Sequence, residues 1–248
     1  MNLTNEVIHL TPVDFKWITE RLFHHNCQDQ YENLTRWDEG ANYMFAGIGH
    51  FTWYPRDTKK IFAETFPRML DFLEESGATL PKWLSESRFR GCPWNSRDEF
   101  LLERKGAVLS GLRKFLQDTV KLQVGYIVSN AQTAIERISS TRPASDQQEF
   151  IDKINLLLQS PQGFYPLIDY VSFKGGGCSP EERYQGMGWG LLQVLTEMKM
   201  PGSPSLAKRS FAEAAVRILE RRVANAPVER HEEKWSPVWK KRVQSYLE

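Results

Sequence analysis

Residues 31–55 read YENLTRWDEGANYMFAGIGHFTWYP, and the reading of this stretch decides the fold. Glycines at 40, 47 and 49 punctuate it, and Ile48, Phe51 and Trp53 partly alternate, which predicts short strands or an irregular hairpin over 33–54. Three carboxylates, Glu32, Asp38 and Glu39, stand within eight residues, ahead of the tight turn Gly47-Ile48-Gly49-His50 and an aromatic run. A sugar-cleaving cleft needs such parts. One acid protonates the glycosidic oxygen, a second charge steadies the cationic ring, and flat apolar rings carry the sugar. The plainer alternative is a solvated acidic turn beside a buried aromatic strand.

On both sides the chain reads as helix. Thr11 with Pro12 and Asp14 opens a helix over 11–25, with Phe15, Ile18, Leu22 and Phe23 as its apolar stripe. Asp57 is expected to cap a helical stretch broken at Pro67, with Gly77 as its stop. Residues 80–93 read as a loop with a short turn around Trp83-Leu84. Ser96 and Glu99 form a capping box for a helix to about Leu116. Residues 119–139 repeat apolar side chains at helical spacing, and Ser145 caps a helix over 146–159. Ser179, Pro180 and Glu182 predict a further helix start. Another helix is expected over 206–223, and Trp235 and Trp239 suggest a docked C-terminal one.

The chain has 248 residues, with 32 Lys and Arg against 31 Asp and Glu. The even charge argues against duplex nucleic acid as the main partner, since phosphate binding needs a basic face. No run of about 20 apolar residues predicts a membrane span. Residues 1–15 lack the basic and apolar regions of a signal peptide. The compartment stays open: periplasmic or secreted if a leader was removed, cytoplasmic otherwise. Cys27, Cys92 and Cys178 make an odd count and read as three buried thiols, with one disulfide pair as the alternative. His24, His25 and Cys27 have metal-ligand residue types. Adjacent histidines on a helix point about 100° apart and no second cluster lies nearby, so neither a metal nor a cofactor is expected. The glycines at 175–177, and those at 186, 188 and 190, match neither a P-loop nor a dinucleotide fingerprint.

Gly47-Ile48-Gly49-His50, preceded by Asp38-Glu39-Gly40, resembles the turn and hairpin acid of the phage-type lysozymes. Over nearly the whole chain the closer resemblance is to a bacterial lysozyme-like family. It rests on Cys27, Trp37, residues 47–55, the block Cys92-Pro93-Trp94-Asn95-Ser96-Arg97, residues 168–171 and residues 182–195. The segment 184–195, YQGMGWGLLQVL, is also distantly similar to one in lytic transglycosylases. The resemblance implies an α+β, mostly α fold: a single lysozyme-like helical domain over 1–248 with a small β-hairpin. The loop at 140–145 is the candidate sub-domain boundary.

The implied activity is a muramidase-like glycoside hydrolase acting on peptidoglycan or a related amino-sugar polymer. Glu32 would be the general acid, and Asp38 or Glu39 would stabilise the oxocarbenium ion or position water. Trp37, Trp53 and Trp189 would hold the sugar, with Gln185 and Gln193 lining the cleft. His50 would brace the hairpin by hydrogen bonds. Two positions depart from the family pattern, Asn26 and Gly176, where the family carries Glu. An amide donates no proton in acid catalysis. The alternative is therefore a catalytically degenerate relative that binds glycan or a protein partner.

Overall fold

The computed structural model describes residues 8–140, 143–180 and 182–248, and at Ala144 and Ser145 the backbone alone. Residues 1–7, and Thr141 and Arg142 of the expected boundary, lie outside the described residues. The fold is mostly α with a small antiparallel sheet. The chain forms two compact units. One is Phe15–Ile127; the other joins residues 8–14 to Val128–Glu248.

The first unit begins in α1 (Pro12–Cys27), whose opening residues belong to the other unit. Thr11 and Asp14 cap it reciprocally, at 2.9 and 3.2 Å. β1 (Thr35–Arg36), β2 (Met44–Ala46) and β3 (Phe51–Trp53) form an antiparallel sheet in the order β1-β2-β3. Met44, Ala46, Phe51 and Trp53 face inward, and Phe45 and Thr52 face outward, the period-2 pattern of a half-buried sheet.

α2 (Phe66–Glu75) starts later than Asp57. Residues 52 and 65 pair instead, with Thr65 N donating to Thr52 O at 3.1 Å, and Pro67 opens the helix rather than breaking it. α2 ends at Gly77 (φ +91), where Ala78 N donates back to Leu73 O.

The expected loop after Leu80 contains α3 (Lys82–Arg90). Only Leu84 of this helix is buried, so no apolar stripe announced it. It is tied to α2 by Arg88, which donates to Asp71 at 2.9 Å and Glu74 at 2.8 Å. Ser96 caps α4 (Arg97–Leu102) as expected, but the helix stops there, and α5 (Ala107–Asp118) begins after Gly106. Arg113 holds the break by donating to Arg104 O at 2.8 Å. α6 (Val120–Ser140) starts in this unit and ends in the other.

The second unit adds α7 (Ala144–Leu158) and α8 (Phe164–Lys174). Among the described residues no helix starts at Ser179. β4 (Arg183–Tyr184) and β5 (Met187–Gly188) form a hairpin there instead. Its two turn residues, Gln185 (φ +50) and Gly186 (φ +77), have the paired positive φ of a type I′ turn. α9 (Leu191–Glu197), α10 (Pro204–Asn225) and α11 (Ser236–Gln244) complete the unit. Phe211, Ala215, Ile218 and Leu219 of α10 are buried, with Leu195 and Tyr170 also in the core. Asp169, fully buried, pins the C-terminal segment to α8. It accepts from Arg242 at 2.6 and 2.9 Å and from Tyr246 at 2.6 Å. Among the described residues no helix is long and apolar enough to cross a membrane.

Candidate functional site

The turn at 47–50 is held from both sides by side-chain amides. Asn26, in the last turn of α1, is buried and donates from Nδ2 to Ile48 O at 2.7 Å. Gln123, in the first turn of α6 and fully buried, accepts from Ile48 N at 2.9 Å through Oε1. Its Nε2 donates to Leu116 O at 2.7 Å and to Thr119 Oγ1 at 3.0 Å. Both polar groups of the buried Ile48 peptide are thus matched, as a dry interior requires. Gly47 (φ +78) suits this turn, since a side chain there would be strained and its Cβ would crowd the Gln123 amide oxygen. Gly47 N donates to Leu34 O at 2.8 Å, tying the turn to the single 3₁₀ turn Tyr31–Leu34 that carries Glu32.

The outward face of the sheet lies beside this turn. Arg36, Phe45 and Thr52 form one cross-strand row by register. Arg36 holds the Asp38 carboxylate in a close ion pair. The His50 ring stacks on Phe45, with centroids 5.4 Å apart and planes 28° apart. Tyr43 meets Phe45 edge-on at 5.2 Å. Tyr43, Phe45 and His50 are all half-buried, so rings and polar groups share one accessible surface. Such a face can stack a flat apolar ligand surface and hydrogen-bond its hydroxyls through a guanidinium and a carboxylate.

Of the expected site residues, Asp38 and His50 come together on this face through Arg36 and Phe45. Glu32 and Glu39 are exposed. Trp37 and Trp53 are core residues. Trp53, with no exposed surface, packs on Phe66 at 4.7 Å and meets Trp94 edge-on at 6.5 Å. Trp37 packs on Phe100 and donates from Nε1 to Ala41 O at 2.8 Å. Phe45, Tyr43, Arg36 and Gln123 are the residues that sequence reasoning missed. The alternation of 43 and 45 against 44 and 46 was the available signal for the two aromatics. Gln123 carried none, being one polar residue in an apolar helix stripe.

Gln185, Trp189 and Gln193 belong to the second unit. Gln185 is an exposed turn residue. The Gln193 amide closes the start of α9, accepting from Gly190 N at 2.9 Å and donating to Gly177 O at 3.0 Å. Trp189 is buried, 4.6 Å from Tyr184 and under the Arg222 guanidinium at 4.1 Å. Arg222 in turn forks onto the buried Glu232, at 2.7 and 2.8 Å, and Tyr184 Oη donates to the same carboxylate at 2.8 Å. Lys174 Nζ lies 3.2 Å from the centre of the Trp239 ring. Burial, followed by the nearby Arg222, drives the Lys174 ammonium well below its usual range. Burial works to raise the Glu232 carboxyl, but Arg222 and Tyr184 outweigh it and hold it below its ordinary value.

Cys27 and Cys92 are buried, and desolvation pushes both thiols up to about 12; Cys178 is half-buried rather than buried. All three are free thiols. Among the described residues no group of three or more His, Cys, Asp and Glu is placed to hold a metal ion. No protein-family model, curated protein or solved structure matches the chain.

Proposed function

We propose that this protein is a lysozyme-like glycan-binding protein in which the acid of the hydrolase has been replaced by a structural amide. The reading rests on the resemblance, which makes position 26 an acid. The observation that carries it is the Asn26 hydrogen bond to Ile48 O at 2.7 Å. At that position an amide fixes the turn and has no proton to transfer. The half-buried rings of Phe45 and His50, with Arg36 and Asp38 beside them, supply a surface suited to an amino sugar. Asp38 is engaged by Arg36 and serves there as an acceptor.

The second reading is hydrolysis with Glu32 as the acid and Asp38 or Glu39 as its partner. One observation favours it: the 3₁₀ turn bearing Glu32 is bonded to Gly47, so the carboxylate is carried on backbone fixed to the turn. Cosedimentation with purified peptidoglycan, followed by assay of soluble reducing ends, separates the two. Binding without release from pH 4 to 8, weakened by Phe45→Ala, is expected. Release abolished by Glu32→Gln would select hydrolysis. Absence of binding would overturn both.

A further inference from the structure

The second unit holds a groove of about 450 Å³ that the glycan reading does not use. It is lined by Arg183 and Met187 of the β4–β5 hairpin, by Leu192, Thr196 and Glu197 of α9, and by Arg221 of α10. Its charges are unevenly matched. Glu197 is taken by Arg217, which donates from Nε at 2.8 Å. Arg221 Nη1 stands 3.9 Å from the other Glu197 oxygen, beyond hydrogen-bond reach. The Nε of Arg221 is buried with no hydrogen-bond partner among the described residues. Arg183 spends one nitrogen on Gly186 O at 3.2 Å and is otherwise exposed. Two guanidiniums therefore line a groove with one carboxylate, which accepts from Arg217 and faces Arg221 at ion-pair distance. Met187, partly exposed, and Leu192 supply apolar wall.

A guanidinium fork matches the two oxygens of a carboxylate or a phosphate. The volume falls within the range of small-molecule sites. We propose that this groove binds a small amphipathic oxyanion, a carboxylate or phosphate monoester with a short apolar arm, clamped by Arg183 and Arg221. The oxyanion takes donors of the Arg183 and Arg221 guanidiniums, and the arm lies against Met187 and Leu192. The site is independent of the glycan reading and stands if that reading fails.

The test is a titration of the isotope-labelled full chain with hexanoate, hexyl phosphate and neutral hexanamide, read by amide chemical shifts. Probes are carried to about 10 mM, enough to saturate a site of millimolar Kd. Saturable shifts at Gly188 and Thr196 with an oxyanion and not with hexanamide are expected. The tighter of the two head groups names the class. Arg221→Gln should weaken binding at least tenfold, and so should Arg183→Gln, whose exposed side chain leaves folding untouched. No saturable shift with either oxyanion, equal response to hexanamide, or unchanged affinity in both variants would overturn the proposal.

Discussion

The turn at 47–50 and the Lys174–Arg222–Glu232 cluster are both buried polar constructions, but they are held by opposite means. Neutral amides clamp the turn: Asn26 and Gln123 satisfy the two polar groups of Ile48. Ion pairs and rings hold the cluster, where Glu232 takes a two-pronged Arg222 and Lys174 rests on Trp239. An amide clamp is indifferent to pH and salt. A buried ion pair is neither, and losing one partner leaves the other charge stranded. The two units should therefore respond differently to the same perturbations.

The largest effect is expected where a buried charge loses its partner. Glu232→Gln leaves Arg222 short of a counter-charge and should cost about 3–5 kcal/mol in urea unfolding. Its pH dependence has a definite sign. The folded carboxyl is held below its ordinary value of 4.5, so its contribution is present above about pH 4.5 and is lost as pH falls through the lower folded value. The difference in stability between parent and variant should shrink in acid. A difference that stays constant down to pH 3 would break the contrast.

Gln123→Leu keeps the volume but strands Ile48 N–H, at a cost of about 1–3 kcal/mol with no pH dependence between 5 and 9. A loss under 0.5 kcal/mol, or one that varies with pH, would show that the clamp is not what holds the turn. Lys174→Met sharpens the other side. The folded ammonium titrates well below 10.5, so the unfolded chain binds more protons below that value and stability rises with pH toward it. The variant should lose that rise, and the difference between the two urea midpoints at pH 7 and pH 10 reads it. A parallel slope in the variant would place the Lys174 charge in solvent. The smallest effect is expected at Glu39→Gln, an exposed carboxylate, within about 0.5 kcal/mol.

Much of the scaffold was legible because local signals and tertiary structure agree. Thr11 and Asp14 cap α1, Ser96 caps α4, and Gly77 ends α2, each by the chemistry its sequence announces. The hairpin at 33–54 followed from its glycines. α3 was illegible because Arg88 ties it to α2 and it lacks an apolar stripe. The helix expected after Ser179 yields to a hairpin because Gln185-Gly186 adopts paired positive φ, and Gln is not an obvious residue for that turn. In the candidate site, Asp38 and His50 were expected from the resemblance, and the structure sets them beside Arg36 and Phe45. The tryptophans misled because large rings serve a core as readily as a ligand, and only burial separates the two. The Gln123 clamp joins residues 75 apart in the chain, a relation that no local pattern encodes.

On the proposed reading, Asn26 stands where the lysozyme-like family that the chain resembles carries an acid. The most direct measurement is release of reducing ends from purified peptidoglycan by the parent protein and by Asn26→Glu, from pH 4 to 8. A glutamic acid carboxyl buried against Ile48 O would be pushed up by desolvation, the condition a general acid needs. The account predicts no release by the parent and measurable release by the variant. Release by the parent would contradict it, as would a folded, glycan-binding variant that remains inert.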